Sequence, residues 1–222
     1  MAIIPVDEKV FMVSNSTNTT YSGSASLKAM NEWYTMQDVT NTVRPYQVFT
    51  ALLTQSGGDT IVNICSDAIQ PLSIGVTYFI DDNSNGGDFT NVGAPNNNQG
   101  TFFIATGTTP NSWGVSPEQG LVCLQYNQGA PVATVLENTI GNIWFTCADI
   151  GYYIIYSNGL FTQGKTFLTV GSLSESSSDD PFGEALFNYG DSDTLAVYTF
   201  DKFNTLIDNQ LIITPIEIRV YN

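Results

Sequence analysis

The chain of 222 residues contains no histidine. That absence removes the Ser-His-Asp and Cys-His nucleophile pairs, His-ligated zinc and histidine proton shuttles together. Basic residues are nearly as scarce. Lys9, Lys28, Arg44, Lys165, Lys202 and Arg219 are the whole set, against 21 Asp and Glu, for a net charge of −15. Affinity for nucleic acid comes from clustered Lys and Arg that neutralise phosphates and release counterions, and these residues are scattered. Direct binding to nucleic acid is therefore not expected, and neither is attraction to an anionic membrane. Charged residues of both signs make up only 12% of the chain, about half the usual share. The surface must be built from Asn, Thr, Ser, Gln and Gly, a neutral polar surface common on proteins that pack against other proteins over much of their area.

Long apolar runs are missing as well. None approaches the roughly 18 residues of a membrane span. The stretch from Met1 to Asp7 lacks the basic start and apolar core of a signal peptide. The expectation is a soluble protein made in a cytoplasm and not exported by such a signal. Asn15-Ser16-Thr17 and Asn18-Thr19-Thr20 match the N-glycosylation pattern, which carries little meaning without a secretory route. Cysteine is limited to Cys65, Cys123 and Cys147. Each sits in an apolar run, and the odd count argues against a disulfide framework. All three are expected to be buried small hydrophobes, neither bridged nor metal-bound.

What is present is core material in short pieces. Hydrophobic residues make up 42%, enough to exclude wholesale disorder, and the length suits one large all-β domain or two small ones. Strand signals cover residues 3–13, 46–55, 60–65, 76–80, 101–106, 121–126, 132–137, 142–147, 152–156, 195–200 and 211–221. Ile216 to Tyr221 alternates strictly, so one face there is buried and one is wet. Leu27, Met30, Trp33 and Tyr34 fall at helical spacing, with Ser24 or Ser26 as the cap. Asn158-Gly159 lies between apolar runs and predicts a type I′ hairpin that returns at Phe161 and Phe167–Val170. The sum is an all-β sandwich or barrel of antiparallel strands with one short helix near 25–36. Three parts are expected: an N-terminal arm and helix over 1–45, a main β domain over 46–74 plus 115–222, and an inserted Gly/Asn-rich β module over 75–114.

Two strings carry a resemblance. Tyr46-Gln47-Val48-Phe49-Thr50-Ala51-Leu52-Leu53-Thr54-Gln55-Ser56-Gly57 and Ala130-Pro131-Val132-Ala133-Thr134-Val135-Leu136-Glu137-Asn138-Thr139-Ile140-Gly141 together resemble a module of structural proteins of tailed bacteriophages, chiefly phages of Bacteroidetes hosts, including crAss-like ones. In that module the two strings usually follow each other directly. Here they are separated by Gly75-Val76-Thr77-Tyr78-Phe79-Ile80, Gly87 to Ala94 and Gly100 to Trp113, which are similar to a second module of the same kind of virion protein. The resemblance covers roughly residues 46–161. It implies a virion structural protein, placed in a tail, neck or ring, on the head as a decoration, or at the base of a fibre. It carries no catalytic residue.

Three constellations in the residues could hold chemistry. Gly159 to Thr166 matches G-x-x-x-x-G-K-T, but a working P-loop opens a helix, and Phe167 to Gly171 reads as a strand. A hairpin return is the reading here. Asp81-Asp82-Asn83-Ser84-Asn85-Gly86 matches the first half of a calcium loop, with oxygens at Asp81, Asn83 and Asn85. Its twelfth position is Val92, where a bidentate Glu belongs, and Asp88 substitutes only in a different geometry. A solvated turn is the reading, as it is for Asp191-Ser192-Asp193 and Asp179-Asp180. Trp113 and Tyr126 are candidates for stacking on sugars, though such aromatics are more often core or interface residues.

No catalytic, metal or cofactor site is therefore assigned. The expected function is non-enzymatic: a component of a tailed-phage virion that packs against copies of itself and other virion proteins, with residues 1–23 as a docking arm. The alternative is a host glycan- or receptor-binding module of the virion that uses the insert. A depolymerase is a third reading, and no repeated β-helix pattern supports it.

Overall fold

A computed structural model describes residues 44–65, 70–114, 122–173 and 183–222. The chain divides into two units at Pro45/Tyr46, and all of the strands described lie in the second. The expected strand over 3–13, the docking arm over 1–23 and the helix over 25–36 fall outside the described residues. The strands are β1 (Tyr46–Thr54), β2 (Ile61–Cys65), β3 (Thr77–Asn83), β4 (Phe102–Ile104), β5 (Val122–Asn127), β6 (Val132–Asn138), β7 (Ile143–Asp149), β8 (Tyr152–Ser157), β9 (Thr166–Val170), β10 (Glu184–Tyr189), β11 (Thr194–Phe200) and β12 (Thr214–Tyr221). A single 3-10 turn at Thr90–Val92 is the one helical piece among the described residues.

The strands form three four-stranded sheets, ordered β6-β1-β12-β9, β10-β11-β8-β7 and β2-β5-β3-β4. Every pairing is antiparallel. The first two sheets share one core and make a sandwich, not a closed barrel. Phe49, Ala51 and Leu53 of β1 and Ile216, Ile218 and Val220 of β12 meet Phe145 of β7, Tyr153 and Ile155 of β8 and Val197 of β11. The rings of Phe49 and Phe145 stand 6.0 Å apart across the sandwich. Burying a Phe or Leu side chain of this kind contributes about 1.5–3 kcal/mol. The alternation in β12 is realised as read: Ile216, Ile218 and Val220 point in, while Glu217 and Arg219 remain half-exposed.

The third sheet has a core of its own, with Ile80, Phe89, Phe103, Val122 and Leu124 at its centre. It reaches beyond the 75–114 block, because β2 and β5 belong to it and pair with each other. Their apolar runs look like any other strands in the sequence; only pairing assigns them to a sheet. The insert leaves and rejoins the sandwich between β1 and β6, which are antiparallel neighbours with Thr54 opposite Val132. An insertion there needs no new loop closure, since the two ends already lie side by side. The outgoing and returning chains touch. Gln128 N donates to Thr60 O at 2.8 Å, and a Cβ on Gly129 would stand 2.6 Å from Gly58 O, so only glycine fits.

Two expectations are corrected. Cys123 is disulfide-bonded, and the residue opposite it across the β2–β5 pair is Cys65; register brings together two cysteines far apart in sequence. Cys147 is free and buried, as read. The Asn158-Gly159 turn does not close a hairpin. β8 pairs with β7 and β11, while β9 pairs with β12 in the opposite sheet. A type I′ turn needs positive φ at both central residues; Gly159 has φ 71°, but Asn158 is not among the positive-φ residues. The turn is instead held by the β10–β11 loop, with Gly159 N donating to Asp193 Oδ1 (2.7 Å) and Phe161 N to Ser192 O (3.0 Å). It carries the chain from one sheet to the other.

Thiol titration of the denatured, unreduced chain should find one reactive thiol, rising to three after reduction. Three thiols without reductant would show that the bridge is not formed.

Candidate interaction surfaces

The insert is seated on an edge of the sandwich. The outer side of β7 offers unpaired backbone groups, and side chains of the insert meet them. Phe145 N donates to Thr77 Oγ1 (3.1 Å), and Asn127 Nδ2 donates to Cys147 O (3.3 Å). In the other direction Asn142 Nδ2 donates to Phe102 O on β4 (2.9 Å). Asn127 Nδ2 also donates to Asp59 Oδ1, while Asn127 Oδ1 is buried without a partner. A buried unpaired acceptor costs about 1–3 kcal/mol, the penalty for aiming the amide hydrogens at the strand edge.

Along this seam runs a cleft of about 420 Å³, lined among others by Asp59, Phe79, Phe102, Gln125, Tyr126 and Thr146. Its volume falls in the range of small-molecule pockets. An aromatic ladder starts in the cleft and continues onto the sandwich. Phe79 and Phe102 are 4.5 Å apart, Phe102 and Trp144 stack at 5.3 Å, and Trp144 and Tyr156 at 5.7 Å. A second stack, Tyr152 on Tyr198 at 4.8 Å with an interplanar angle of 5°, lies farther along the sheet. Offset stacks of this kind contribute about 0.5–1.5 kcal/mol each beyond burial.

Trp144, Tyr152, Tyr156 and Tyr198 lie on the outer face of β10-β11-β8-β7, together with Ile154, Ala196 and Phe200, by alternation with the core residues. That face is aromatic over β7, β8 and β11 and turns polar at β10, where Glu184 and Asn188 stand in register with Phe200 and Ala196. The outer face of β6-β1-β12-β9 carries an ion pair. There Thr50 faces Glu217, Arg219 pairs with Glu217 and lies 5.0 Å over the Tyr46 ring. An antiparallel sheet with one face on the core normally turns a polar face outward; here both outer faces mix polar and apolar side chains, since Val48 and Leu52 share a face with Glu217 and Arg219, and Phe167 and Tyr221 are exposed.

Asp179-Asp180 lies outside the described residues; the sequence candidates that are described resolve into structural roles. Thr166 opens β9, so the G-x-x-x-x-G-K-T stretch leads into a strand and not a helix. In the Asp/Asn loop, Asp81 and Asn83 belong to β3. Asn83 folds back on the loop: its Oδ1 accepts from Gly87 N, and its Nδ2 donates to Gly87 O (3.0 Å) and Asn97 O (2.7 Å). Asn85 is buried. Asp88 is the hub. Its Oδ1 accepts from Thr90 N, Thr90 Oγ1 and Asn97 Nδ2, and its Oδ2 from Asn111 Nδ2. The Thr90 hydroxyl, then Asn111, then the remaining donors hold its carboxyl well below the usual carboxylate range. No cluster of three or more His, Cys, Asp or Glu that could hold a metal is found among the described residues. Trp113 packs its ring edge-on to Phe89 (5.6 Å), and Tyr126 packs against Tyr78 (5.6 Å). Both rings are half-buried in the insert's packing.

Sequence reasoning missed one buried network. Gln55 Oε1 accepts from the Tyr153 hydroxyl (2.9 Å) and from Asn209 N (2.6 Å). The same hydroxyl reaches Asp208 Oδ1 at 3.0 Å. A lone Gln closing a strand gives no signal of this. Burial, then the nearby Asp208 charge, push the Tyr153 phenol upward. Burial first, then Asp208 and Asp59, push the Cys147 thiol up to about 11.

Two measurements check this reading. The Cys147 thiol stays protonated in the folded chain where it ionises in the unfolded one, so its contribution to stability is intact below about pH 9 and is lost as pH rises to about 11. Thermal melts should therefore fall across that window, and the fall should shrink in Cys147→Ala. Asp88→Ala should lower the melting temperature and Asp81→Ala should not; equal effects would mean that Asp88 is an ordinary surface carboxylate. Comparison of the chain with protein-family models, with curated proteins and with solved structures finds no match.

Proposed function

We propose that the chain is a non-enzymatic structural subunit of a tailed-phage virion, working by packing against copies of itself and neighbouring virion proteins. The observation that carries the packing part is the outer face of the β10-β11-β8-β7 sheet, where Trp144 stacks on Tyr156 and Tyr152 on Tyr198 on the side away from the core. Outer faces rich in aromatic rings are the usual chemistry of protein interfaces. The virion part rests on the resemblance carried by the two strings at 46–57 and 130–141. The disulfide at Cys123 fits a protein that ends in an oxidising setting, as virion surfaces are. Tail, neck or ring subunit, head decoration and fibre base are all served by such a surface.

One observation favours the second reading, a host glycan- or receptor-binding module. The seam cleft joins the Phe79 and Phe102 rings to Asp59, Gln125 and Thr146, which pairs an apolar platform with hydrogen-bonding groups. This also suits a ligand with hydroxyls on an apolar ring.

Antibody against the chain should label purified particles of the phage that encodes it, at many copies per particle. Particles without the protein would overturn the virion reading. The full chain on a glycan array should be silent under the first reading, and saturable binding abolished by Gln125→Ala would favour the second.

A further inference from the structure

We infer that β10 is a self-pairing edge, through which two copies of this chain join their β10-β11-β8-β7 sheets into one continuous sheet. This deepens the assembly reading above and rests on it.

Edge strands expose unpaired N–H and C=O groups, and proteins blunt them with bulges, charges, brevity or covering segments. The other edges described here each carry such a device. β7 is capped by Thr77 and Asn127. β4 has three residues, and its Phe102 carbonyl is taken by Asn142. β6 has a register shift against β1, and Ala133 N donates to Gly75 O. β2 and β9 are five residues long, with Asp59 and Lys165 just before them. β10 has one charge, Glu184 at its start, and among the described residues no bulge and no capping side chain. It is six residues in unbroken register with β11, holds no Pro, Lys or Arg, and leaves Leu186 47% and Phe187 50% exposed on its two faces.

Hydrogen-bond parity says which groups are free. Gly190 N donates to Thr194 O, and that pair continues the register that sets Asn188 opposite Ala196 and Leu186 opposite Tyr198. In an antiparallel ladder alternate residues bond to the same neighbour. Leu186 and Asn188 therefore turn their backbone toward β11, and Ala185, Phe187 and Tyr189 turn theirs outward.

The choice of a second copy follows from this arrangement. A two-fold axis at Phe187 sets Phe187 opposite Phe187 and Ala185 opposite Tyr189, so every outward N–H and C=O of these residues finds a partner. Centring on Leu186 or Asn188 leaves some of them unpaired. The same register sets Leu186 opposite Asn188 and Glu184 opposite Gly190. The strand's one charge thus does not stand opposite its own copy, which matters in a chain of net charge −15. The two Phe187 rings meet over the gap of about 250 Å³ between β9 and β10, lined by Leu168, Tyr189 and Leu195, and close it in both copies. The contact is isologous and stops at two.

The test is sedimentation and light scattering of the full chain across a concentration series, with Phe187→Lys, Phe187→Pro and, as control, Phe203→Lys at an exposed position elsewhere. The Phe187 N–H takes no part in the β10–β11 ladder, so proline at this edge position is compatible with the fold; circular dichroism and melting check it. Wild type and Phe203→Lys should run at twice the chain mass, and both Phe187 variants, folded, at the chain mass. Self-association that survives both Phe187 variants would overturn the edge pairing while leaving the assembly reading in place. A wild-type chain that stays monomeric throughout would overturn it too, and labelling of particles then decides the assembly reading separately.

Discussion

Every sheet must dispose of its edges, and this molecule is arranged around how it does so. A strand at the rim presents backbone donors and acceptors that are costly to bury unpaired and hazardous to expose. Three small sheets have six such rims. The insert deals with several at once. By laying Thr77 and Asn127 against β7 and receiving Asn142 at β4, it turns two vulnerable edges into one seam. The bonds across the seam are side chain to backbone, not a strand ladder. The two sheets therefore keep separate cores, with Ile104 of the insert packed against that of the sandwich.

The same constraint explains why the insertion is tolerated. β1 and β6 would make an ordinary antiparallel pair without it, and Thr54 and Val132 stay opposite each other with it. The insert closes on itself through β2 and β5, so it adds a folded unit without stretching the host pair. Its polar loop is built for shape. Asp88 gathers donors from Thr90, Asn97 and Asn111, the kind of network that neutral amides and hydroxyls can supply in a chain with little other charge. Asn and Thr are abundant here because they do the work of cross-linking loops that ion pairs do elsewhere.

Packing of the sandwich leaves a consequence on its outside. Once Phe145, Tyr153, Ile155 and Val197 face the core, alternation obliges Trp144, Tyr152, Ile154, Tyr156 and Tyr198 to face away. Their mutual stacking hides part of each ring, yet the surface stays aromatic. On the opposite sheet the same alternation sends Glu217 and Arg219 outward. Val48, Leu52 and Phe167 go outward with them.

The sequence by itself determined the all-β class, the positions of most strands and the inward face of β12, because period-two alternation and Gly, Asn and Pro punctuation are local signals. It also marked Gly159 to Thr166 as a route into a strand. Pairing was decided only in three dimensions. Nothing local says that β2 and β5 leave the sandwich, that Cys123 meets Cys65 by register, or that the chain after Asn158-Gly159 crosses to the other sheet. The Gln55–Tyr153–Asp208 network joins residues that no short-range pattern links, and Asp88 could be read from sequence as a calcium ligand because carboxylate spacing does not reveal which donors will surround it. Local backbone preference sets where a strand can form; which strand lies beside it, and so which edges and faces stay open, is set by long-range packing that the order of residues along the chain does not display.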